Sequence, residues 1–326
     1  MKPLNVVTYN VRRFAHGKER HDTVDLVVRR LLELSPISLL ALNEVDVALR
    51  PHALPRLQEA LGLEHCAFFG HAGPSQNYGN AILSRAPFVP NSVIQTHLDG
   101  GTTVLDREGR QHRIVRGMQS VRTTLGGVPA VVATTHLDHM VEAERVTQMR
   151  HVLRCLASDA AASHTLLLGD MNALRRTDYT DAEWAQHEAH NAANGWQPPS
   201  DSERPEHSLG LLLGAGFRDC AREALTTHSP TGGGNAVVRW QSPPWSAHVH
   251  REGAPRYRID YIFSRHPSES RGGGGGAAAD GGSDGRSTPT APRLECVGVQ
   301  THNTTDDGGV SSDHCPVAAQ FVVVEP

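Results

Sequence analysis

Residues 164–172 read His-Thr-Leu-Leu-Leu-Gly-Asp-Met-Asn, an apolar run that ends on Asp170 and Asn172. Three consecutive leucines predict a buried strand, and Gly169 allows the chain to turn at its end. Because the side chains of a strand repeat every second residue, Asp170 and Asn172 point the same way from that end. The carboxylate can take a proton or a metal, and the amide can donate a hydrogen bond. The pair could therefore hold one chemical group from two sides.

Other apolar runs along the chain also end on polar side chains. These are Asn10, Glu44, His136, Asp260, Asp313 and His314. Burying a carboxylate next to a hydrophobic run is costly unless the carboxylate has a partner or a metal. Several such carboxylates in one chain indicate a shared cation site. The ligand set is rich in oxygen and contains no cysteine, which favours Mg²⁺ or Mn²⁺ over zinc.

The composition is that of a globular chain, with 326 residues, 38% hydrophobic residues and 20% charged residues. The formal net charge of −4 argues against a strongly basic nucleic-acid-binding surface, although a local basic cleft is compatible with it. The five cysteines are odd in number and form no Cys-x-x-Cys pair, which argues against a disulfide framework and a zinc ribbon.

The cysteine usage also favours a reducing compartment. A strand-like segment, Leu4–Asn10, begins almost at once and leaves no room for a signal peptide. No apolar run is long enough for a transmembrane segment. We therefore expect a cytoplasmic or nuclear protein.

Hydrophobic periodicity predicts alternating strands and amphipathic helices. Helices are expected at Asp22–Leu34 and Met140–Leu156, and Thr124–Gly127 reads as a hairpin turn between two long strands. The strand-like runs are Leu4–Thr8, Ile37–Leu42, Ala81–Leu83, Arg113–Thr123, Val128–Thr135, Thr165–Leu168, Tyr257–Phe263, Leu294–Val299 and Val317–Val324. This pattern favours an α+β arrangement of layers with a mixed sheet and helices outside it.

Two segments read as insertions into this arrangement. Residues 173–207 are polar and are expected to form a helix and a long loop. Residues 266–292 contain five successive glycines, a composition that cannot bury a core, so we predict a disordered surface loop there. Because that loop lies between two predicted strands, we expect residues 1–326 to form a single domain.

The polar strand ends, taken in order, resemble the motifs of the endonuclease/exonuclease/phosphatase superfamily, which includes deoxyribonuclease-like enzymes. The resemblance runs from residue 8 to residue 317. It implies an α/β four-layer sandwich of two central mixed β-sheets flanked by helices, and metal-dependent hydrolysis of a phosphate ester. The motifs are Thr-Tyr-Asn10, Leu-Asn-Glu44-Val, Gly79-Asn80-Ala-Ile-Leu-Ser-Arg85, Thr-His136-Leu, Gly-Asp170-Met-Asn172, Arg258-Ile-Asp260-Tyr-Ile and Ser312-Asp313-His314.

The resemblance also implies a role for each of these residues. The metal, Mg²⁺ or Mn²⁺, would be held by Glu44, with Asn10 beside it and Asp313 completing or adjoining the site. Asp170 would orient or deprotonate the attacking water, and Asn172 would hold a phosphate oxygen.

The implied phosphate contacts come from the remaining motifs. His314, fixed in its tautomer by Asp260, would act at the phosphate as base or charge stabiliser, which leaves the identity of the base open between Asp170 and His314. His136 would donate to the developing negative charge. Asn80 and Arg116 are the implied substrate-binding residues.

One residue departs from the family pattern. Asn43 stands where the family commonly has glutamine before the metal-binding glutamate. A shorter amide at this position changes the side chains that surround the metal ligand more than the ligand itself. The departure therefore concerns the substrate class and not metal binding. The closely spaced His136, Asp138 and His139 do not have the spacing or the third ligand of a zinc site.

Several basic and aromatic residues have two readings. Arg12-Arg13 and Arg175-Arg176 would either rim the cleft and contact further phosphates or belong to solvated loops. Trp240, Trp245 and Tyr257 would either stack on a base or pack in the core. Arg258 is near enough in sequence to form an ion pair with Asp260.

Our leading hypothesis is a monomeric Mg²⁺- or Mn²⁺-dependent phosphodiesterase with nuclease-type activity on nucleic acid. The alternative substrate is a phospholipid head group or an inositol polyphosphate. A third hypothesis is a binding module that kept the fold and lost turnover. Degeneration would first remove Glu44, Asp170, Asp260 or His314, and all four are present.

Overall fold

The computed structural model describes residues 3–17, 19–73, 76–105, 108–157, 163–226, 245–247, 255–267, 292–301 and 312–325. The predicted glycine-rich loop at 266–292 lies almost wholly outside these ranges. Within them, none of the helices has the length and hydropathy needed to cross a membrane.

The described residues form sixteen strands, six α-helices and two short 3-10 helices. The strands are β1 (Leu4–Asn10), β2 (Ala15–His16), β3 (His21–Asp22), β4 (Ile37–Asp46), β5 (His65–Ala72), β6 (Tyr78–Ser84), β7 (Ile94–His97), β8 (Thr103–Leu105), β9 (Gln111–Arg113), β10 (Gly117–Leu125), β11 (Val128–His136), β12 (His164–Asp170), β13 (Arg218–Asp219), β14 (Asp260–Arg265), β15 (Arg293–Thr301) and β16 (Val317–Val324). The helices are α1 (Val24–Leu32), α2 (Ala53–Leu61), α3 (Glu142–Ala157), α4 (Asp181–Ala193), α5 (Ser208–Gly214) and α6 (Cys220–Thr226), and the 3-10 helices span Arg12–Phe14 and Arg176–Asp178.

Two six-stranded mixed sheets carry most of these strands. The first has the order β15-β16-β1-β4-β6-β5 and the second the order β13-β14-β12-β11-β10-β7. Strands β1 and β4 run parallel, as do β11 and β12, and the other neighbouring pairs are antiparallel. Two small hairpins, β2-β3 and β8-β9, lie outside the two large sheets.

Alternating side chains place the two sheets in the middle of the molecule. Val6 packs with Leu166 in a core cluster between the sheets, whereas the next residue, Val7, packs on the opposite face with residues of α1 and α2. In the second sheet Leu167 packs with Val152 of α3 and Leu209 of α5. This alternation follows from the two-residue repeat of a strand. The predicted four-layer sandwich of two mixed sheets flanked by helices is confirmed.

The sequence located most of the central strands within a few residues. The predicted hairpin is confirmed, because β10 and β11 meet at Gly126 and Gly127, whose φ angles of 60° and 89° suit the tight hairpin turn. The predicted strand Arg113–Thr123 is wrong at its start, since Arg113 ends the small strand β9 and β10 begins at Gly117.

The strand predicted from Tyr257 also begins later, at Asp260, because Tyr257 forms only an isolated bridge with Ala247. Helix α2 was not predicted. It carries Pro55 in its first turn, where proline is tolerated but weakens the sequence signal for a helix. The predicted helix in the segment 173–207 is present as α4.

Candidate active site

The directions of the strands bring the polar ends of both sheets to one edge. Strands β1, β4, β11 and β12 end there, whereas β6, β10, β14 and β16 run antiparallel to them and begin there. The pairing places Asp170 opposite His136 on one side and opposite Asp260 on the other. Residues far apart in sequence therefore meet at this edge for a topological reason.

Asp170 and Asn172 are held by a tight exit from β12. Gly169 has a φ of 136°, and a Cβ there would lie 2.0 Å from the Thr135 carbonyl oxygen. Asn172 has a φ of 48°, an uncommon conformation for a residue with a side chain. Its backbone N–H donates to Asp170 Oδ1 at 3.0 Å, and its side-chain Nδ2 donates to the Leu137 carbonyl at 3.1 Å. The Asp170 carboxylate is thereby fixed in orientation.

The Asn10 amide connects two carboxylates. Its Nδ2 donates to Asp170 Oδ2 at 3.0 Å and to Glu44 Oε1 at 3.2 Å, and its Oδ1 accepts the Arg12 backbone N–H. Glu44 has a φ of 58° and lies where the register of β4 and β6 shifts, so a bulge turns its side chain toward Asn10. Burial, and then the Glu44 charge, raise the pKa of Tyr78, whose hydroxyl donates to Glu44.

Asp260 and His314 form the predicted carboxylate–histidine pair. His314 Nδ1 lies 2.7 Å from Asp260 Oδ2, and both residues are buried. The Ser246 hydroxyl oxygen accepts the Asp260 backbone N–H, and Ser312 connects the backbone of His314 to the Asn10 carbonyl. Burial acts to lower the pKa of His314, but the Asp260 carboxylate outweighs it, and the pKa rises to about 10.

Asp170 Oδ2 is the point on which three other side chains converge. Asn10 Nδ2 lies 3.0 Å away, His136 Nε2 3.5 Å and His314 Nε2 3.8 Å. Asp170 is 2% exposed. Burial, and then the charge of Asp260, raise the pKa of the Asp170 carboxyl to about 7. Three groups of the predicted site are therefore within contact distance of one oxygen atom.

Arg116 lies between two histidines. Its guanidinium donates to Nδ1 of His136 at 3.0 Å and to Nδ1 of His139 at 3.1 Å. Burial, and then the Arg116 charge, lower the pKa of both imidazoles. Because a neutral ring that accepts at Nδ1 carries its proton on Nε2, His136 presents an N–H toward Asp170.

Asn43 supports the site from within the core. Its Oδ1 accepts the Asp170 backbone N–H at 2.9 Å, and its Nδ2 donates to Asn80 Oδ1 at 2.9 Å and to the Thr135 carbonyl at 3.1 Å. One amide thus ties the first sheet to the second directly behind Asp170. Asn80 is fully buried and donates onward to the Gly117 carbonyl, so its contact with a substrate stays a prediction.

Asp313, the last of the predicted metal ligands, is partly exposed. Its Oδ2 lies 3.6 Å from Arg12 Nε, and both side chains reach solvent. The assignment of Asn10, Glu44 and Asp313 to a metal also stays a prediction.

A different group of side chains could also hold a metal ion. Asp170, Asp260 and His314 offer ligand atoms that all lie within 4.8 Å of one another.

Arg175 and Arg258 form buried ion pairs that the sequence did not predict. Arg175 is 1% exposed and donates to Asp219 at 2.6 Å, so neither the cleft rim nor a solvated loop describes it. Arg258 binds Asp219 and Asp178, so it is not the partner of Asp260. A buried arginine in a polar stretch gives no hydrophobic period, and the sequence therefore offered no signal for this network.

The aromatic candidates separate in the structure. Trp245 is 5% exposed and packs against Tyr179 at a ring separation of 5.2 Å, which makes it a core residue. Tyr257 lines a cleft that also includes Asn172. Trp240 lies outside the described residues.

Comparison with known proteins supports this description. A sequence model described as the Endonuclease/Exonuclease/phosphatase family matches residues 7–314. No curated protein matches the chain. Similar solved structures include TDP2 of D. rerio complexed with single strand DNA product, with 18% identity, a TM-score of 0.53 and coverage of 99% of this chain and 100% of that one.

Two further structures illustrate the range of the likeness. The human Nocturnin catalytic domain with bound sulfate shares 16% identity, has a TM-score of 0.54 and is matched over 99% of this chain and 94% of that one. A Bacteroides thetaiotaomicron mannosyl-6-phosphatase shares 14% identity, has a TM-score of 0.53 and is matched over 98% and 99%. At these identities the structural likeness shows the fold alone.

Proposed function

Because the chain belongs to the Endonuclease/Exonuclease/phosphatase family, a family of phosphate-ester hydrolases, we propose that it hydrolyses phosphodiester bonds of nucleic acid with the help of Mg²⁺ or Mn²⁺. The observation that carries the proposal is the convergence of Asn10, His136 and His314 on one oxygen atom of Asp170. These groups hold the Asp170 carboxylate in place where the polar ends of both sheets meet, and burial, which raises its pKa to about 7, suits it to receive a proton from a water molecule.

Asp170 is the group that takes the proton from the attacking water. Its Oδ2 is a carboxylate acceptor, and its orientation is fixed by Asn10, Asn43 and the backbone of Asn172. His136 is unsuited to this role, because Arg116 occupies its Nδ1 and leaves an N–H at Nε2. A carboxyl group whose pKa lies near 7 is matched to general base catalysis at neutral pH.

The two histidines face the phosphate as donors. His136 presents its Nε2–H, and His314 is held in its cationic form by Asp260, with its Nε2 toward the same side. Negative charge that develops on the phosphate oxygens would be met by these groups without reorganisation of the site. The Asn172 side chain has one N–H bound to Leu137 and a second that is suited to a phosphate oxygen.

The residues present fit a divalent cation. Glu44 and Asn10 lie side by side and carry oxygen donors, and the buried Asp260 Oδ1 has no hydrogen-bond partner among the described residues. Oxygen donors of this kind suit Mg²⁺ and Mn²⁺. Glu44 and its neighbours would hold the ion, which when bound neutralises charge on the phosphate and the leaving group.

The preference for nucleic acid rests on two supports. The D. rerio TDP2 structure, which shares the fold, is complexed with single strand DNA product. In this chain the described part of the catalytic edge carries Arg12 and Arg13 at the end of β1, where they could meet further phosphates of a strand. Arg13 Nη1 lies 3.2 Å from Asp46 Oδ2. The Arg13 side chain is nevertheless 42% exposed, so a phosphate in solvent can reach it.

A metal-supplemented substrate panel tests the proposal. Purified protein should cleave single- or double-stranded DNA or RNA in Mg²⁺ or Mn²⁺, and EDTA should abolish the cleavage. Glu44→Gln should raise the Mg²⁺ concentration needed for half-maximal rate, whereas Glu59→Gln, at a side chain 79% exposed on α2, should not. Cleavage that survives EDTA, or faster turnover of sphingomyelin or inositol phosphates than of any nucleic acid, would contradict it.

A further inference from the structure

A cleft of about 220 Å³ opens beside the catalytic edge. Asn172 and His139 form the part of its wall nearest the site. The segment that follows α4, from Trp196 to Ser200, and Tyr257 also line it. The cleft is therefore continuous with the position at which the phosphate is proposed to bind.

Trp196 supplies an exposed and fixed aromatic surface to this cleft. Its side chain is 49% exposed, and its backbone N–H donates to the Asn191 carbonyl at 2.8 Å. The His190 ring packs edge-on against it, with the ring centroids 5.6 Å apart. Only eight large hydrophobic residues are exposed in the described part of the chain, and two of them, Trp196 and Met140, line this cleft.

The electrostatic character of the cleft excludes a second strongly anionic group. Its one Lys or Arg among the described residues is Arg145, which is 7% exposed and already binds Glu142 at 2.8 Å and the Asp138 carbonyl at 3.0 Å. An inositol polyphosphate would need unpaired cations here. The lining offers instead flat apolar surfaces with the amides of Asn191 and Gln197.

We propose that this cleft binds one nucleobase of the substrate, stacked on Trp196, next to the scissile phosphate. The proposal rests on the proposed function and specifies how that site selects its substrate. An aromatic face bounded by prolines accepts the π-face of a base, and side-chain amides hydrogen-bond to base edges. Residues Pro198 and Pro199 follow Trp196 closely and line the same cleft.

The test compares substrates that differ only in the base. The p-nitrophenyl esters of thymidine 5′-monophosphate and of 1,2-dideoxyribose 5-phosphate, which has hydrogen in place of the base, have the same leaving group and the same phosphate-bearing furanose ring. In the wild-type protein kcat/KM should be higher for the ester that carries the base. Trp196→Ala should lower the ratio of the two kcat/KM values by about tenfold, the order expected when one base loses its stacking partner.

Two variants serve as controls. Trp196→Phe keeps an aromatic face and should keep most of the ratio, which also guards against a folding defect in Trp196→Ala. Leu105→Ala should leave both kcat/KM values unchanged, because Leu105 is an exposed residue of β8 and does not line the cleft. An unchanged ratio in a folded Trp196→Ala protein would overturn the proposal.

Equilibrium binding separates this proposal from the proposed function. Thymidine 5′-monophosphate titrated into the protein in a calorimeter should bind more weakly to Trp196→Ala than to Leu105→Ala, even if neither ester is hydrolysed. If neither ester is hydrolysed but this difference in binding is found, the proposed function is wrong and the base site is supported. The proposal would be overturned if mannose 6-phosphate bound more tightly than the nucleotide and if Trp196→Ala abolished that binding. The cleft would then be a sugar site.

Discussion

The Arg258 guanidinium donates to both carboxylate oxygens of Asp219, each at 2.7 Å. Asp219 also accepts from Arg175 at 2.6 Å, so one buried carboxylate serves two buried arginines. These residues lie in three separate parts of the chain: the segment after β12, strand β13 and the residues before β14. The network therefore ties the segment after Asn172 to the strand that begins at Asp260.

Replacement of Asp219 should destabilise the fold strongly. Asp219→Asn keeps the shape of the side chain but removes the charge that two buried guanidinium groups share, which leaves Arg258 with Asp178 and Arg175 with Glu203. Because each arginine keeps one partner, we expect a loss of about 3 kcal/mol, the low end of the range for a broken buried pair. The free energy of unfolding, measured by urea denaturation, reports the loss. Glu108→Gln, which breaks an exposed ion pair with Arg110, should change it by less than about 1 kcal/mol. Equal small effects of the two variants would show that the network contributes little.

Gly169 is expected to tolerate no side chain. In Gly169→Ala the added Cβ would meet the Thr135 carbonyl oxygen at 2.0 Å and Asn43 Oδ1 at 3.1 Å, so β11 and β12 would have to separate behind Asp170. We expect a loss of about 1–3 kcal/mol from overpacking, together with reduced turnover. Gly127→Ala is the matched control, because Gly127 also has a positive φ but its Cβ would meet nothing within 4 Å. If both variants lose the same stability, backbone strain alone explains the loss.

The sequence predicted the strand ends of the site better than the contacts behind them. Asp170 and His136 follow long apolar runs, so their positions could be read from hydrophobic patterning. Asn43 could not be assigned its role, because its partners Asp170 and Asn80 belong to the packing of two sheets and to residues far along the chain. Trp196 lies in a polar segment without periodicity, and only the fold shows that this segment returns to the catalytic edge.

His164 should make the stability of the fold sensitive to acid. Burial lowers its pKa to about 4, and its Nε2 accepts the Leu294 backbone N–H at 3.0 Å, a bond that a proton on Nε2 would break. Since the pKa of this histidine is lower in the folded than in the unfolded chain, its contribution is present above pH 6.5 and declines as the pH falls toward 4. At pH 5 the loss should be on the order of 1–2 kcal/mol.

The measurement is the free energy of unfolding at pH 7 and pH 5. His164→Gln keeps an acceptor that does not titrate, so the difference between the two pH values should be smaller in this variant than in the wild type. His16→Gln, at an exposed histidine of β2, should keep the wild-type difference. An identical pH dependence in all three proteins would refute the assignment.

Asp170→Asn should separate activity from stability. The variant loses the acceptor for the water proton, so kcat in saturating Mg²⁺ should fall by at least about 100-fold, the range of general base catalysis. In EDTA the same variant should be no less stable than the wild type and, above pH 7, more stable by about 1–2 kcal/mol, because burial and the nearby Asp260 make an ionised Asp170 unfavourable. Urea denaturation at pH 8 measures this gain. Asp181→Asn, at a side chain of α4 that is 99% exposed and paired with Arg176, should leave kcat unchanged and lower the stability by less than about 1 kcal/mol. Wild-type turnover in Asp170→Asn would remove Asp170 from the role of base, and a less stable variant would mean that its hydrogen bonds from Asn10 and Asn172 outweigh the cost of burying its charge.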